Sequence, residues 1–235
     1  MNNNYPEYFT PQSAYEMDLK VSSVMKRVYV KMFLGLLVTA FVALFCADSN
    51  DVASFFLTNR WAMFVLMIAE LGIVFYVSGR INRISSSTAT MLFYIFAVIN
   101  GLMLFPIFYV YTSVSIAKTF FITAGVFGAM SVYGYFTSKD LSRWGSILIM
   151  CLFGLIICSV VNIFMKSTGF DWLISGLGVL IFIGLTAWDT QQIKAMAQQA
   201  PMDSVGKLAT LGALSLYLDF INLFLYLLRF FGNRD

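Results

Sequence analysis

Long apolar stretches broken by short polar ones run through this chain of 235 residues. About 20 apolar residues at helical rise cross the hydrocarbon core of a bilayer. Seven stretches reach that length: Val28–Ala47, Trp61–Gly79, Thr90–Tyr111, Thr119–Thr137, Trp144–Met165, Trp172–Trp188 and Leu208–Phe231. The pattern predicts an all-α integral membrane protein of seven transmembrane helices. Linkers between most runs are short, so successive helices are expected to lie antiparallel. Pro106, preceded by Asn100-Gly101, predicts a kink or break late in the third run, because proline lacks an amide donor and crowds the preceding turn.

The segment before the first run, "MNNNYPEYFTPQSAYEMDLKVSS", is polar and lacks the apolar stretch of a secretory signal. It reads as a cytoplasmic tail, disordered or lying on the surface, over residues 1–22, with the helical domain over 23–235. Orientation follows from Lys and Arg in the flanks. With the N-terminus inside, ten (Lys20, Lys26, Arg27, Lys31, Arg80, Arg83, Lys139, Arg143, Lys194, Lys207) fall on the cytoplasmic side. Five (Arg60, Lys118, Lys166, Arg229, Arg234) fall opposite. The expectation is N-terminus in and C-terminus out.

Composition agrees. Sixty per cent of residues are hydrophobic and 11% charged, where soluble domains carry about a quarter charged. A net charge of +3 gives no reason to expect nucleic acid as a partner. The absence of histidine removes histidine-based catalysis, metal ligation and pH sensing. Three scattered cysteines, Cys46, Cys151 and Cys158, make neither a disulfide framework nor a zinc site and read as buried small hydrophobes. Gly125, Gly128 and Gly134, with Gly176 and Gly178, fit small-residue helix packing. Nothing points to an enzyme or to a cofactor.

Against this apolar background the ionisable residues stand out. Glu70 lies within the second run and Asp219 within the seventh; Asp189 closes the sixth and Arg80 follows the second. Such groups cost at least a few kcal/mol in hydrocarbon, so they face a bundle interior or water. Lys31, four residues into the first run, can snorkel to the interface. At about 1.5 Å per residue, Glu70 and Asp219 fall near mid-membrane, and Asp189 and Arg80 near the inner face. Two carboxylates in hydrogen-bonding range do not both ionise cheaply and share a proton. An Asp189–Asp219 pair is therefore a candidate proton switch. Deprotonated, it offers hard oxygen ligands for Ca²⁺, while Arg80 can compete for the same oxygens. Simpler readings stand beside this one: Asp189 as interfacial, Asp219 bonded to Asn222, Glu70 as a satisfied structural acid, and Arg80 and Arg83 as positive-inside anchors.

Three stretches, "SVYGYFTSKDLSRWGSIL" (Ser131–Leu148), "GLTAWDTQQIKAM" (Gly184–Met196) and "LSLYLDFINLFLYLLRFFG" (Leu214–Gly232), resemble the Bax inhibitor-1, or transmembrane Bax-inhibitor-motif, family. The likeness runs from about Val21 to the end. It implies a seven-helix bundle with the last helix central. It also implies a pH-sensitive calcium leak governed by two aspartates, matching Asp189 and Asp219. A latch arginine would match Arg80, with Arg83 as the alternative, and an earlier acid Glu70. Calcium, protons and the lipid bilayer are the implied partners, with calcium carried or bound rather than kept as a cofactor. The resemblance places the chain in a bacterial inner membrane. A different class of function stands as the alternative: a regulator that binds a membrane protease or acts on a stress or cell-death pathway. A proton-coupled solute transporter is a third.

Overall fold

A computed structural model of the protein describes residues 11–233. Within them the chain is helical and contains no strand. The helices are α1 (Pro11–Asp48), α2 (Asn50–Thr58), α3 (Arg60–Arg80), α4 (Ser86–Leu104), α5 (Ser113–Phe136), α6 (Ser142–Met165), α7 (Thr168–Gln199) and α8 (Val205–Phe231). All but the nine-residue α2 are long and apolar enough to cross a membrane. Residues 1–10 of the expected tail, and Arg234 of the charge comparison, lie outside the described residues. From Pro11 onward the remainder of that tail is continuous with α1.

Local chemistry sets the ends. Side chains of Asn59, Ser85, Thr112 and Ser167 accept amide hydrogens from the first turns of α3, α4, α5 and α7, satisfying donors that a helix start leaves free. The expected break at Pro106 is present: α4 stops at Leu104 and passes into a 3-10 turn over Phe105–Tyr109. Asn100 and Gly101 stay helical. Gly101 is needed for another reason, because a Cβ there would come within 2.8 Å of the Thr39 carbonyl of α1. Lys166, at φ 50°, closes α6 in the left-handed conformation and turns the chain into α7.

Burial is uneven. In α8 67% of the most apolar window is buried, against 6% in α3 and α6. α8 packs on α1, α3, α4, α5 and α7, and its Ser159 contact through Tyr226 reaches α6. Its inward residues include Leu214, Leu216, Tyr217 and Leu223, all essentially inaccessible. α3 and α6 instead show Phe64, Phe75, Ile157 and Phe164 on their outer faces, as a helix against lipid tails does. Cys151 is exposed on α6, unlike the buried position expected of it; Cys46 is buried and Cys158 half-buried.

Candidate functional site: an aspartate pair between α7 and α8

α7 and α8 form the most extensive helix contact in the molecule, joined by a turn over residues 200–204. α7 has 32 residues, about 48 Å at helical rise. It continues ten residues beyond Asp189 before ending at Gln199. The helix therefore continues past Asp189, although the apolar run stops just before it. Counted back from the turn, Asp189 and Asp219 lie at comparable heights on antiparallel neighbours, and their carboxyl groups are in hydrogen-bonding contact. Asp219 is 4% exposed, and its Oδ2 is buried without a hydrogen-bond donor. Asp189 is half-buried. A carboxylate only accepts, so two carboxyl oxygens can bond each other only when one carries a proton. The arrangement can hold one proton between two acids and, without it, present two adjacent anionic oxygens.

Neighbouring residues explain how a polar turn survives here. The Thr186 and Thr190 hydroxyls donate to the carbonyls of Phe182 and Thr186 at 2.7 and 2.8 Å, retiring their polarity within α7. Thr190 also meets Ser131 of α5 at 3.4 Å. Gln191 accepts from the Leu141 amide and donates to the Lys139 carbonyl, both at 2.8 Å, so it closes the α5–α6 connection. Thr190 and Gln191 are thus satisfied by protein partners. Gly134 of α5 lies against the Ala187 carbonyl, and Gly145 of α6 against the Trp188 ring, so closely that a Cβ at either would overlap them. Both glycines seat the turn that carries Asp189. Gly178 likewise admits the Tyr226 ring, whereas Gly125 and Gly128 face open space and pack against nothing, contrary to the role expected of them. Beside Asp219, Phe220 packs edge-on against Phe120 and Phe127, with centroids 5.5 Å apart in each case.

The structure does not bring Arg80 to the pair. Arg80 is exposed at the end of α3, its guanidinium 6.0 Å from the Tyr76 ring centre. α3 packs mainly on α4, with smaller contacts to α2 and α8, and Arg80 makes no ion pair with either aspartate. Arg83 is exposed in the α3–α4 connection. Among the described residues the sole ion pair is Arg229–Asp171, at 3.4 Å, far along both helices from the aspartates. Asn222 donates to the Leu218 carbonyl at 2.8 Å and not to Asp219.

Glu70 is also separate from Asp219, despite their similar estimated depths. Its Oε1 accepts from Asn100 Nδ2 at 2.9 Å. Asn100 Oδ1 in turn accepts from the Tyr217 hydroxyl at 3.0 Å. That hydroxyl meets Thr39 Oγ1 at 2.6 Å, and Thr39 donates to the Ala97 carbonyl at 2.8 Å. This chain ties α3, α4, α8 and α1 together. Lys31 is held by protein partners: its Nζ donates to Thr90 and Thr210, each at 2.6 Å. The sequence carried a signal for both networks, namely polar residues on separate apolar runs, but their pairing depends on which helices are neighbours.

Residues 21–235 match the family described as "Inhibitor of apoptosis-promoting Bax1". The chain belongs to the Bax inhibitor family. It is 48% identical over 217 residues to "Inner membrane protein YbhL" of Escherichia coli (strain K12), covering 91% of this chain and 93% of that one. An uncharacterized protein of Borreliella burgdorferi is 46% identical over 210 residues, 88% of this chain and 90% of its own. An uncharacterized membrane protein of Streptococcus pyogenes is 34% identical over 223 residues, 94% and 96% of the two chains. Membership and the seven apolar helices make this a membrane protein of the Bax inhibitor family, embedded in a lipid bilayer.

Proposed function

We propose that this protein is a pH-responsive calcium leak of a bacterial inner membrane, in which Asp189 and Asp219 form the element that protons and calcium contest. The observation that carries the reading is the buried Asp219 carboxyl, whose Oδ2 has no donor and whose neighbour is a second carboxyl. A structural acid is normally given an amide, hydroxyl or cation; this one is given another acid. Family membership supports the calcium assignment, and the name of the E. coli relative supports the membrane.

The sign of the pH effect follows from charge. A shared proton lowers the negative charge of the pair and weakens its attraction for a cation; losing the proton strengthens that attraction and sets the carboxylates against each other. Calcium takes about six to eight oxygen ligands, and among the described residues no group of three or more acidic, cysteine or histidine side chains exists to hold a metal. An ion at this pair keeps much of its water, which suits cargo in transit. Arg80 takes no part in the conformation described; as a competitor for these oxygens it would require α3 to move toward α7.

The test is calcium flux into proteoliposomes across the neutral pH range. Wild type is expected to change its flux with pH, and Asp219→Asn to lose that response. Equal flux and an equal pH response in both would overturn the reading.

A further inference from the structure

A groove of about 540 Å³ opens between the N-terminal half of α1 and the C-terminal half of α5. Its walls are apolar: Met25 from α1, and Phe127, Val132 and Phe136 from α5. The floor includes Gly128, where a side chain would meet nothing within 4 Å, so the opening is unfilled space rather than loose packing. The polar lining consists of Ser22, Ser131, the hydroxyls of Tyr29 and Tyr135, and one cation. Lys26 lines the groove, is exposed, and has no hydrogen-bond or ion-pair partner among the described residues. Arg27 is exposed beside it. Lys194 of α7 sits 4.8 Å from the ring centre of Tyr135, another lining residue, and donates to the Tyr135 carbonyl at 2.7 Å. The nearest acids on α1, Glu16 and Asp18, lie two turns or more before Lys26.

We infer that this groove binds one anionic phospholipid, an acyl chain lying along the apolar walls and the phosphate meeting Lys26. Three observations select that occupant. Both walls belong to membrane-crossing helices, so a bilayer lipid is the molecule that reaches them. The cavity is largely apolar and carries a single lining cation, Lys26, which is the complement of an anionic amphiphile. The rim cation that lines it is unpaired, and an ammonium at a membrane surface attracts anionic headgroups. The site is independent of the calcium reading. It does touch the same turn, since Ser131 lines the groove and bonds Thr190, the residue after Asp189.

Native mass spectrometry of the detergent-released full chain tests it, with phosphatidylglycerol or phosphatidylcholine added. Wild type is expected to retain one phosphatidylglycerol in preference to phosphatidylcholine. Lys26→Gln, at an exposed position that leaves the fold intact, is expected to weaken retention about fivefold. At Gly128 an added Cβ meets nothing within 4 Å, so Gly128→Leu places a branched side chain in the groove and is expected to abolish retention with Lys26 still present. Lys118→Gln, on α5 outside the groove, is expected to change nothing. Undiminished retention in Gly128→Leu would show surface attraction alone and overturn the proposal, as would equal binding of the two lipids. Displacement by glycerol phosphate without acyl chains would overturn it too, because the site would then be a simple anion site.

Discussion

Two acids, Glu70 half-buried and Asp219 buried, occupy this membrane domain in opposite circumstances. Glu70 receives an amide hydrogen from Asn100, and Asn100 in turn lies against the Tyr217 hydroxyl, which also meets Thr39. Asp219 is the more buried of the two and receives a second acid. Both lie on α3 or α8 within a few ångströms of mid-span by residue count, so depth does not separate them. Partners do. An acid supplied with a donor ties helices together; an acid supplied with another acid is, under the proposed function, one that holds a proton that can leave.

The comparison breaks most directly at the pair itself. Asp189→Asn and Asp219→Asn are each expected to remove the whole pH dependence of calcium occupancy, measured by equilibrium binding of radioactive calcium. The double substitution is expected to add nothing, as for residues acting as a unit. In wild type occupancy rises with pH, since protons and calcium compete for the same oxygens; two independent, additive losses would separate the acids. The Glu70 side predicts a different kind of effect. Tyr217→Phe deletes a hydroxyl that bridges Asn100 and Thr39, and is expected to cost about 1–3 kcal/mol. It should lower the unfolding midpoint in detergent while leaving the pH dependence in place. Glu70→Gln keeps an oxygen for Asn100, and is expected to shift stability by less than about 1 kcal/mol and calcium flux not at all.

Asp140, in the α5–α6 connection, gives the smallest effect. The Ser142 amide, at 2.9 Å, and then its side chain hold the Asp140 carboxyl below the usual carboxylate range. A group shifted down in the folded state stabilises above its ordinary value and loses that contribution only as pH falls through the lowered one. It stays ionised throughout the neutral range. Asp140→Asn is expected to leave the pH profile of flux unchanged, and a displaced profile would show that the pair is not the sensor.

Much of this architecture was legible as pattern. Seven apolar runs became seven long helices, and Pro106 ended α4 where its missing amide required. The errors share one cause. Hydropathy measures how a residue suits lipid, whereas Thr190 and Gln191 are satisfied by Ser131, Lys139 and Leu141 of neighbouring helices and loops; α7 thus runs eleven residues past the end of its apolar run. The same limit applies to Lys31, whose threonine partners come from α4 and α8. For Arg80, the charge was readable but its neighbours were not. Gly134 and Gly128 look alike in sequence; only the approach of Ala187 to one of them tells a packing glycine from a groove floor.

Infrared difference spectroscopy of the carboxyl stretch in reconstituted protein, stepped from acid to alkaline pH, reads the shared proton itself. The account predicts a protonated-carboxyl band that persists into the neutral range, fades as pH rises, shifts on calcium addition, and changes in both Asp189→Asn and Asp219→Asn while surviving Glu70→Gln. A spectrum in which that band is absent at neutral pH, or depends on Glu70 alone, would contradict it.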